Sequence, residues 1–399
     1  MTVAIEFAFS PDQEAFRAAA RAFLEAEVVP IVAEMDEREE FPAATVRRMQ
    51  EEGYFGVPIP EEYGGLGLGK VGYCLFLEEL GRVDASHGVI VGAHTSLGTT
   101  PLLYYGTEEQ KRRWLVPAAK GERLLAFSLT EPGSGSDSGA VHTVAEPHGA
   151  GWRLTGTKIY VSNGREAGTV IVMAATDPHR GANGGVTAFL VDTDRPGFTV
   201  GRCEKKMGLH GSSTAEIVLD RVEVGPEHVL GEVGKGFHVA MTALDVGRVS
   251  LGAASLGAIE AATSAALAYA QNRTQFGLPI SEYQAIQFKL ADMAMRATAL
   301  RPLVYLAAAR QDRMGTDPSA WGRRERAEKP REAAVVKCLA SEWASEVIDE
   351  ALQIHGGSGY IRGTPIERAY RDARISEIFE GTNEIQRLVI ARDLIARGL

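Results

Sequence analysis

The sequence is poor in cysteine, with only Cys74, Cys203 and Cys338 among 399 residues. These thiols are isolated and odd in number, so they imply no disulfide framework and indicate a reducing compartment. No stretch contains 18 uninterrupted apolar residues, so no membrane span is expected. The first residues also lack the charged and apolar regions of a secretory signal. These absences predict a cytoplasmic protein that does not bind membranes.

Several motifs of common enzymes are also missing. The nine histidines form no H-E-x-x-H sequence and accompany no C-x-x-C pair, so no metal site is expected. There is no G-x-S-x-G nucleophile elbow and no G-x-G-x-x-G after a predicted strand. Residues 64–70 nearly form a Walker A loop, but Val71 stands where the magnesium-binding serine or threonine belongs. We interpret this segment as a glycine-rich turn.

The composition is that of an ordinary soluble globular protein, with 45% hydrophobic and 24% charged residues. Acidic residues outnumber basic ones by 52 to 42, and the net charge of −10 argues against a general nucleic-acid or anionic-membrane binder. A chain of 399 residues is long for one compact core, which predicts two or three domains.

Hydrophobic periodicity divides the chain into three predicted domains. Residues 1–122 are predicted to be α-helical, and the first helix opens with Ser10 as N-cap and Gln13 closing a capping box. Residues 123–236 contain six short runs rich in β-branched and aromatic residues, which predict a β-sandwich or barrel. Residues 237–399 are predicted to form a four-helix bundle. Its helices are expected at about 237–272, 285–314 and 332–354, and after Arg368. The predicted fold class is α+β and mainly α.

Residues 315–332, GTDPSAWGRRERAEKPRE, separate two helices of the predicted bundle. Their arginine-rich run resembles a nucleic-acid patch, but Glu325 and Glu328 are interleaved with the basic residues and Trp321 is the only aromatic residue. We interpret the segment as a solvated loop between helices.

The most informative segment is RDARISEIFEGTNEIQRLVIAR, residues 371–392. Ile375, Ile378 and Phe379 lie at helical spacing on one apolar face, and Glu380 follows them directly. A carboxylate in apolar company has its pKa raised toward neutrality, which suits a general base. From these residues alone, an exposed glutamate at a helix end remains an open alternative.

The residues after Glu380 predict a sharp corner between two helices. Gly381 permits the left-handed turn that ends helices. Asn383, with Gln386 three residues later, matches an N-cap and capping-box pattern. A second helix is therefore predicted to start at Asn383, with Glu380 held at the corner.

Residues 374–392 resemble the C-terminal signature of acyl-CoA dehydrogenases. The sequence TEPGSGSD at 130–137 resembles the flavin-binding motif of that family, and KIYVSNG at 158–164 resembles the strand that lies against the flavin. PEEYGGLG at 60–67 is also similar to a sequence of the family. The helix–sheet–helix order extends the resemblance over nearly the whole chain, which implies an FAD-dependent enzyme of the short- or medium-chain type.

The resemblance also implies roles for individual residues. Glu380 is expected to be the catalytic base. Substrate contacts are expected at Ser136, Asp245, Arg248 and Gly381. FAD contacts are expected at Phe127, Leu129, Thr130, Gly135, Ser136, Tyr160, Val161, Ser162, Arg273, Phe276, Gln353, Gly356, Gly357, Thr382 and Glu384.

Two positions depart from the usual family sequence, and a third lies where members of the family differ. Tyr160 replaces the usual tryptophan and Ser162 the usual threonine, so an aromatic body and a hydroxyl are both retained. Some members place their catalytic glutamate directly before the arginine of the long bundle helix, where this sequence has Gly247. Glu380 is therefore the one candidate base. Asp245 and Arg248 lie three residues apart on the same helix and are expected to pair.

By this resemblance the expected reaction is a step of fatty acid β-oxidation. Glu380 removes an α-proton from an acyl-CoA thioester while the hydride of the β-carbon passes to the flavin, giving a trans-2-enoyl-CoA. Electron-transfer flavoprotein is the expected electron acceptor. The segments NRTQFG at 272–277 and QIHGGSGY at 353–360 are expected to reach the cofactor of a neighbouring subunit, which implies a homo-oligomer, usually a tetramer.

Two other functions remain open. An acyl-CoA oxidase would reoxidise its flavin with oxygen, and a non-catalytic relative of the same fold would bind acyl-CoA or DNA without turnover. The sequence also leaves the acyl chain length and branching undecided, because side chains from several helices would set the depth of the cavity.

Overall fold

The computed structural model describes residues 9–398, and the first third of this range is helical. The first helix begins as predicted: the Ser10 hydroxyl accepts from the Gln13 N–H at 3.2 Å, and the Gln13 side chain accepts from the Ser10 N–H at 2.9 Å. The helices are α1 (Pro11–Phe23), α2 (Val32–Arg38), α3 (Ala43–Glu51), α4 (Gly69–Val83), α5 (Ala85–Gly92), α6 (Thr100–Tyr105), α7 (Glu108–Gln110) and α8 (Val116–Ala119). Three π-helical segments, Leu24–Val28, Ala93–Thr99 and Lys111–Leu115, directly continue α1, α5 and α7.

The middle of the chain forms one eight-stranded sheet, and all six predicted runs are strands within it. The strands are β1 (Leu125–Ser128), β2 (Val144–His148), β3 (Gly151–Ser162), β4 (Thr169–Ala175), β5 (Val186–Asp192), β6 (Phe198–Cys203), β7 (Thr214–Val224) and β8 (Val229–Leu230). Their order is β6-β7-β3-β2-β4-β5-β8, and β1 pairs in parallel with β4. The sequence did not predict β2 or β8, because β2 is mostly exposed and β8 has only two residues.

The long helix α9 (Gly236–Asn272) is the centre of the C-terminal bundle. It packs against α4, α10 (Gln284–Met314) and α11 (Arg323–His355). Its close approach to α4 depends on Gly257, where a Cβ would lie 1.9 Å from the Glu78 carbonyl oxygen. Within residues 9–398, α9 is the one helix long and apolar enough to cross a membrane. In this fold 44% of its apolar window is buried.

Four shorter elements complete the bundle region. The strands β9 (Thr274–Gln275) and β10 (Leu278–Pro279) form a hairpin between α9 and α10. The helices α12 (Pro365–Ala373) and α13 (Asn383–Arg397) follow α11. The predicted fold class, with helices on either side of a sheet region in sequence, is confirmed.

The prediction of a solvated loop at 315–332 is wrong for residues 323–332. α11 already begins at Arg323 and runs through Pro330. Trp321 and Lys329 are buried, with the Lys329 ammonium 4.5 Å from the centre of the Trp321 ring. Pro330 and the dense charges favoured a loop in the prediction, whereas in the structure packing against the bundle stabilises a helix here.

The last helix begins at Asn383 as predicted, but the N-cap predicted for it is wrong. Thr382, and not Asn383, is the N-cap of α13, because the Thr382 hydroxyl accepts from the Ile385 N–H at 3.4 Å. The Asn383 side chain is buried and turns toward α11, where its Oδ1 accepts from Lys337 at 2.7 Å. Sequence spacing favoured Asn383 as the cap, but this tertiary hydrogen bond uses its side chain instead.

All three parts of the fold meet beside α12, the helix that leads to Glu380. Arg371 of α12 donates to the carboxylate of Asp36 in α2 at 2.5 and 3.1 Å. His210, between β6 and β7, also contacts Asp36 at 2.9 Å. The next α12 residue, Asp372, accepts from the Leu209 N–H at 2.5 Å. These contacts fix α12 against the helical and sheet regions and so position the turn after it.

Candidate active site

Glu380 lies in a tight turn between α12 and α13. Its backbone is left-handed, with φ of 55°, and Gly381 follows with φ of 88°. A left-handed residue other than glycine costs on the order of 1 kcal/mol, so surrounding contacts must hold it. Arg248 Nε donates to the Glu380 carbonyl oxygen at 3.1 Å, and Gln386 Nε2 donates to the same oxygen at 3.2 Å. The left-handed corner predicted at Gly381 is confirmed, and it includes Glu380 itself.

Glu380 is half-buried, and within its carboxylate the Oε2 atom is shielded from solvent. Its Oε2 atom has no hydrogen-bond partner in the part of the chain that the structure describes. Burial raises the pKa of Glu380 to about 7, although the positive charges of Arg248 and Lys337 act in the opposite direction. A carboxylate with this pKa is partly ionised at neutral pH and holds a proton well, as a general base requires.

Gly247 leaves the room that this carboxylate occupies. A Cβ at residue 247 would lie 2.5 Å from Glu380 Oε2 and 2.9 Å from the carboxyl carbon. Even an alanine there would therefore displace the base. The sequence shows a glycine at this position, and the structure shows that the glycine and Glu380 face each other.

Asp245 and Arg248 form the ion pair predicted from their spacing. Arg248 Nη1 lies 3.0 Å from Asp245 Oδ1, and both side chains are buried within α9. Burial raises the pKa of Asp245, while Lys329 and Arg248 oppose the rise. Arg248 thus connects a buried anion to the carbonyl of the candidate base and orients the turn.

The two glycine- and hydroxyl-rich segments at 130–137 and 158–164 lie side by side. Ile159 N–H donates to the Thr130 carbonyl at 2.9 Å, joining β3 to the loop after β1. The buried Lys158 ammonium donates to Glu131 at 2.6 Å and to the Leu129 carbonyl at 3.2 Å. Burial opposes ionisation of Glu131, but Lys158 and the N–H and hydroxyl of Thr143 keep the pKa of this carboxyl below its ordinary value. The loop is therefore anchored from beneath by a buried ion pair.

The outer face of these segments is open. Gly135 and Ser136 are exposed, and a Cβ on Gly135 would meet nothing within 4 Å. Tyr160 is 63% exposed and left-handed, with φ of 58°, while Val161 beside it is buried. Phe127, Thr130 and Ser162 are half-buried and Leu129 is buried. The surface offers an exposed ring, hydroxyls and bare backbone to a flat ligand.

The other predicted cofactor residues are at a different place. Arg273 and Phe276 lie at the β9–β10 hairpin, and Phe276 is 95% exposed. Gln353, Gly356 and Gly357 lie at the exposed end of α11. No hydrogen bond or ion pair found within residues 9–398 joins them to the 130–137 or 158–164 segments. The fold brings the sheet segments together but leaves these residues at the surface.

Comparison with known proteins identifies the family. Three family models cover most of the chain: acyl-CoA dehydrogenase N-terminal domain at residues 10–122, middle domain at 126–222 and C-terminal domain at 234–395. The chain belongs to the acyl-CoA dehydrogenase family. The short-chain specific acyl-CoA dehydrogenase of Bos taurus mitochondria is 44% identical over 381 residues, which are 95% of this chain and 89% of the relative.

Solved structures of acyl-CoA dehydrogenases share the whole fold. The butyryl-CoA dehydrogenase of Megasphaera elsdenii is 39% identical with a TM-score of 0.92, covering 98% of this chain and 100% of the other. An acyl-CoA dehydrogenase of Bacillus anthracis in complex with FAD is 37% identical with a TM-score of 0.91, covering 98% of this chain and 68% of the other. The chain is therefore an oxidoreductase of an FAD-dependent family.

The residues present fit an FAD. The open face beside Gly135, Ser136 and Tyr160 can accept a flat ring, since within residues 9–398 nothing lies within 4 Å of a Cβ on Gly135 and Tyr160 is largely exposed. Two further expected FAD contacts, Thr382 and Glu384, lie near Glu380 at the start of α13, and Glu384 is exposed. The expected flavin contacts in the sheet region and in the turn after Glu380 therefore include residues that a ligand can reach from solvent, among them Ser136, Tyr160 and Glu384.

Lys337 touches the candidate active site but was not predicted from the sequence. It is fully buried in α11, and its ammonium donates to the Gly381 carbonyl at 3.0 Å. A signal was present, because Lys337 is a single charge inside the small apolar run AAVVKCLA. Gln386 was predicted only to cap a helix, whereas its side chain holds the carbonyls of Glu380 and Gly381.

Replacing Lys158 should weaken FAD retention. Lys158→Met removes the cation beneath the 130–137 loop and leaves the Glu131 carboxylate buried without it, a change that typically costs about 3–5 kcal/mol. We expect a lower melting temperature and a lower ratio of flavin to protein absorbance after gel filtration. The exposed Lys205→Met is the matched control. Full flavin content and an unchanged melting temperature in Lys158→Met would show that the pair does not support the loop.

Proposed function

We propose that this acyl-CoA dehydrogenase oxidises a short- or medium-chain acyl-CoA, straight or branched, to the trans-2-enoyl-CoA, with Glu380 as the base. The observation that carries the proposal is the Glu380 carboxylate, whose Oε2 is shielded from solvent without a partner within the described residues and whose pKa is raised to about 7. The similarity to short-chain specific and butyryl-CoA enzymes supports the short end of this range.

Glu380 would take the α-proton of the thioester on its carboxylate. The carboxylate lies against Gly247, and Arg248 and Gln386 hold the carbonyl of the same residue, so the turn is held in place before substrate arrives. Such preorganisation lowers the barrier because the base does not have to reorient. Bound FAD supplies the hydride acceptor for the β-carbon, which is chemistry that no side chain provides.

The negative charge that develops on the thioester carbonyl requires a hydrogen-bond donor. The Glu380 N–H donates to no acceptor in any hydrogen bond described for residues 9–398. The carbonyl of the same residue is held by Arg248 and Gln386, which limits rotation of the turn. These features support the Glu380 N–H as the donor to the thioester oxygen, a contribution typically worth about 3–4 kcal/mol.

The electrons would leave through electron-transfer flavoprotein, and the chain would act in the cytoplasm. Both are proposals drawn from the family resemblance and from the sequence composition. Oxygen consumption during turnover separates a dehydrogenase from an acyl-CoA oxidase, since only the oxidase needs oxygen to reoxidise its flavin.

We also propose a homotetramer. Large apolar side chains are exposed in the two segments where the family resemblance implies contacts with a neighbouring subunit, Phe276 at 95% and Tyr360 at 80%, and Ile361 directly after the second segment is 63% exposed. Exposed apolar groups clustered on neighbouring segments mark protein–protein interfaces. A second copy of this chain is the partner that the family resemblance implies.

Phe276→Asp should therefore disrupt the assembly. Placing a charge in an apolar interface is unfavourable, so we expect the native mass measured by light scattering to fall below the tetramer mass. The control is Val29→Asp, which changes a half-exposed apolar residue of the N-terminal helices. A wild-type protein that is monomeric at micromolar concentration would contradict the proposed assembly.

Glu380→Gln tests the catalytic proposal. Under anaerobic conditions, butyryl-CoA should bleach the flavin of the wild type, and the variant should bleach roughly 10²–10⁴-fold more slowly with its FAD still bound. Glu109→Gln, a change at an exposed glutamate, should behave as the wild type. If Glu380→Gln bleaches at a near-normal rate, Glu380 is not the base. If butyryl-, octanoyl-, palmitoyl- and isobutyryl-CoA all leave the wild-type flavin oxidised, the proposed activity itself is wrong.

A further inference from the structure

Lys337 is a buried cation whose hydrogen-bond acceptors are neutral. It lies in the middle of α11, and its side chain has no solvent exposure. The ammonium donates to the Gly381 carbonyl at 3.0 Å and to Asn383 Oδ1 at 2.7 Å. Burying a charge without a carboxylate in direct contact is costly. A neutral donor would be enough to make hydrogen bonds to the Gly381 carbonyl and the Asn383 side chain. The positive charge of Lys337 therefore requires its own explanation.

The two acceptors of Lys337 belong to the turn that carries the base. Gly381 directly follows Glu380, and Asn383 is the first residue of α13. Asn383 is itself held by Ser341, one turn after Lys337 on α11, with Nδ2 3.0 Å from the Ser341 hydroxyl. Through these contacts α11 holds the turn, as α9 does through Arg248.

The charged groups around Lys337 are few. Glu380 and Glu377 on the turn side favour its protonated form, the Cys338 thiol acts in the same direction, and Arg248 on α9 opposes it. Burial lowers the pKa of Lys337 to about 8, so the ammonium remains mostly protonated at pH 7. Glu380 in turn experiences positive charge from Arg248 and Lys337. The charge of Arg248 is paired with Asp245, whereas Lys337 donates to neutral acceptors. The charge of Lys337 is therefore the one whose role is unexplained by an ion pair.

We propose that Lys337 is a positioning residue for the base: it holds the Gly381 carbonyl so that Glu380 stays left-handed, and its charge keeps the Glu380 carboxylate available in its ionised form. This inference rests on the proposed role of Glu380. Without the Lys337 cation, Arg248 alone would oppose the rise in the pKa of Glu380 that burial causes. A larger fraction of the base would then carry its proton before substrate binds, and that fraction could not accept another.

The charge is tested by titrating Glu380 directly in the FAD-bound protein. Infrared difference spectroscopy follows the carbonyl band of the protonated carboxyl group as pH changes, and the band of Glu380 is assigned by its loss in Glu380→Gln. In Lys337→Met the midpoint of this band should move to higher pH than in the wild type, because an opposing positive charge has been removed. Lys337→Arg keeps the charge and should keep the midpoint near the wild-type value.

The same variants give a rate. At pH 7, Lys337→Met should reduce the flavin with butyryl-CoA roughly 5-fold more slowly, which is the loss of ionised base for a midpoint about one pH unit higher than about 7, while the KM for the acyl-CoA changes less than about twofold. Arg324→Met removes an 86% exposed cation from the same helix and is the matched control. Lys337→Gln, which keeps a donor and loses the charge, answers the same question if the methionine variant does not fold.

The outcomes separate the two proposals. A Glu380 midpoint that is unchanged in Lys337→Met or Lys337→Gln overturns the role of the charge, even if the rate falls. A midpoint that moves upward in these variants and returns in Lys337→Arg supports it. The titration needs no substrate, so it decides the role of Lys337 even if no acyl-CoA bleaches the wild-type flavin and the proposed activity fails.

Discussion

The desolvation of one carboxylate is the constraint on which the rest of this site depends. The Oε2 atom of Glu380 is shielded from solvent, and desolvation raises the pKa of this carboxyl group to about 7 from an ordinary value of 4.5. That difference corresponds to a cost of roughly 3 kcal/mol to the folded state when Glu380 is ionised. The cost is absent below about pH 4.5, where the group is protonated in both the folded and unfolded chain, and it grows as the pH rises toward 7. The remaining structure must therefore be stable enough to carry an unfavourable charge.

Two cations limit this cost without removing it. Arg248 and Lys337 approach the turn from α9 and α11, and each donates to a backbone carbonyl of the turn and not to the Glu380 carboxylate. A direct salt bridge would hold the carboxylate ionised and weaken it as a base. Binding the cations to the carbonyls keeps their charge nearby and leaves Oε2 free. The same hydrogen bonds hold Glu380 in its left-handed conformation.

The turn is precise because rigid elements surround it. Arg371 and Asp372 join α12 to the helical and sheet regions just before the turn, through Asp36 and Leu209. After the turn, Thr382 caps α13 and Gln386 holds the two turn carbonyls. Across the site, Gly247 gives the carboxylate its space. A base with a defined position is thus built at the junction of all three parts of the chain.

Local patterns in the sequence predicted much of this arrangement. The capping box at Ser10, the six β-runs and the corner at Gly381 depend on neighbouring residues, and the structure confirms them. The Asp245–Arg248 pair also follows from helical spacing. Family resemblance, and not spacing, singled out Glu380 among the many glutamates.

The rest depends on contacts between residues far apart in the chain. Asn383 gives up its expected capping role because Lys337, 46 residues earlier, binds its side chain. Lys329 and Trp321 are buried by packing with each other and with Tyr104, which local charge patterns could not indicate. That Gly247 faces Glu380 is likewise visible only once α9 and the turn are packed together.

The pH dependence of flavin reduction tests the central claim most directly. The second-order rate constant for anaerobic reduction by butyryl-CoA reports the ionisation of the free enzyme's base. The structure predicts that it falls about tenfold for each pH unit below about 7 and levels off above that value. A rate constant that stays flat from about pH 5 to pH 8 would mean that the base has the ordinary pKa of a solvated glutamate, and would contradict the claim that a desolvated Glu380 carboxylate is the base.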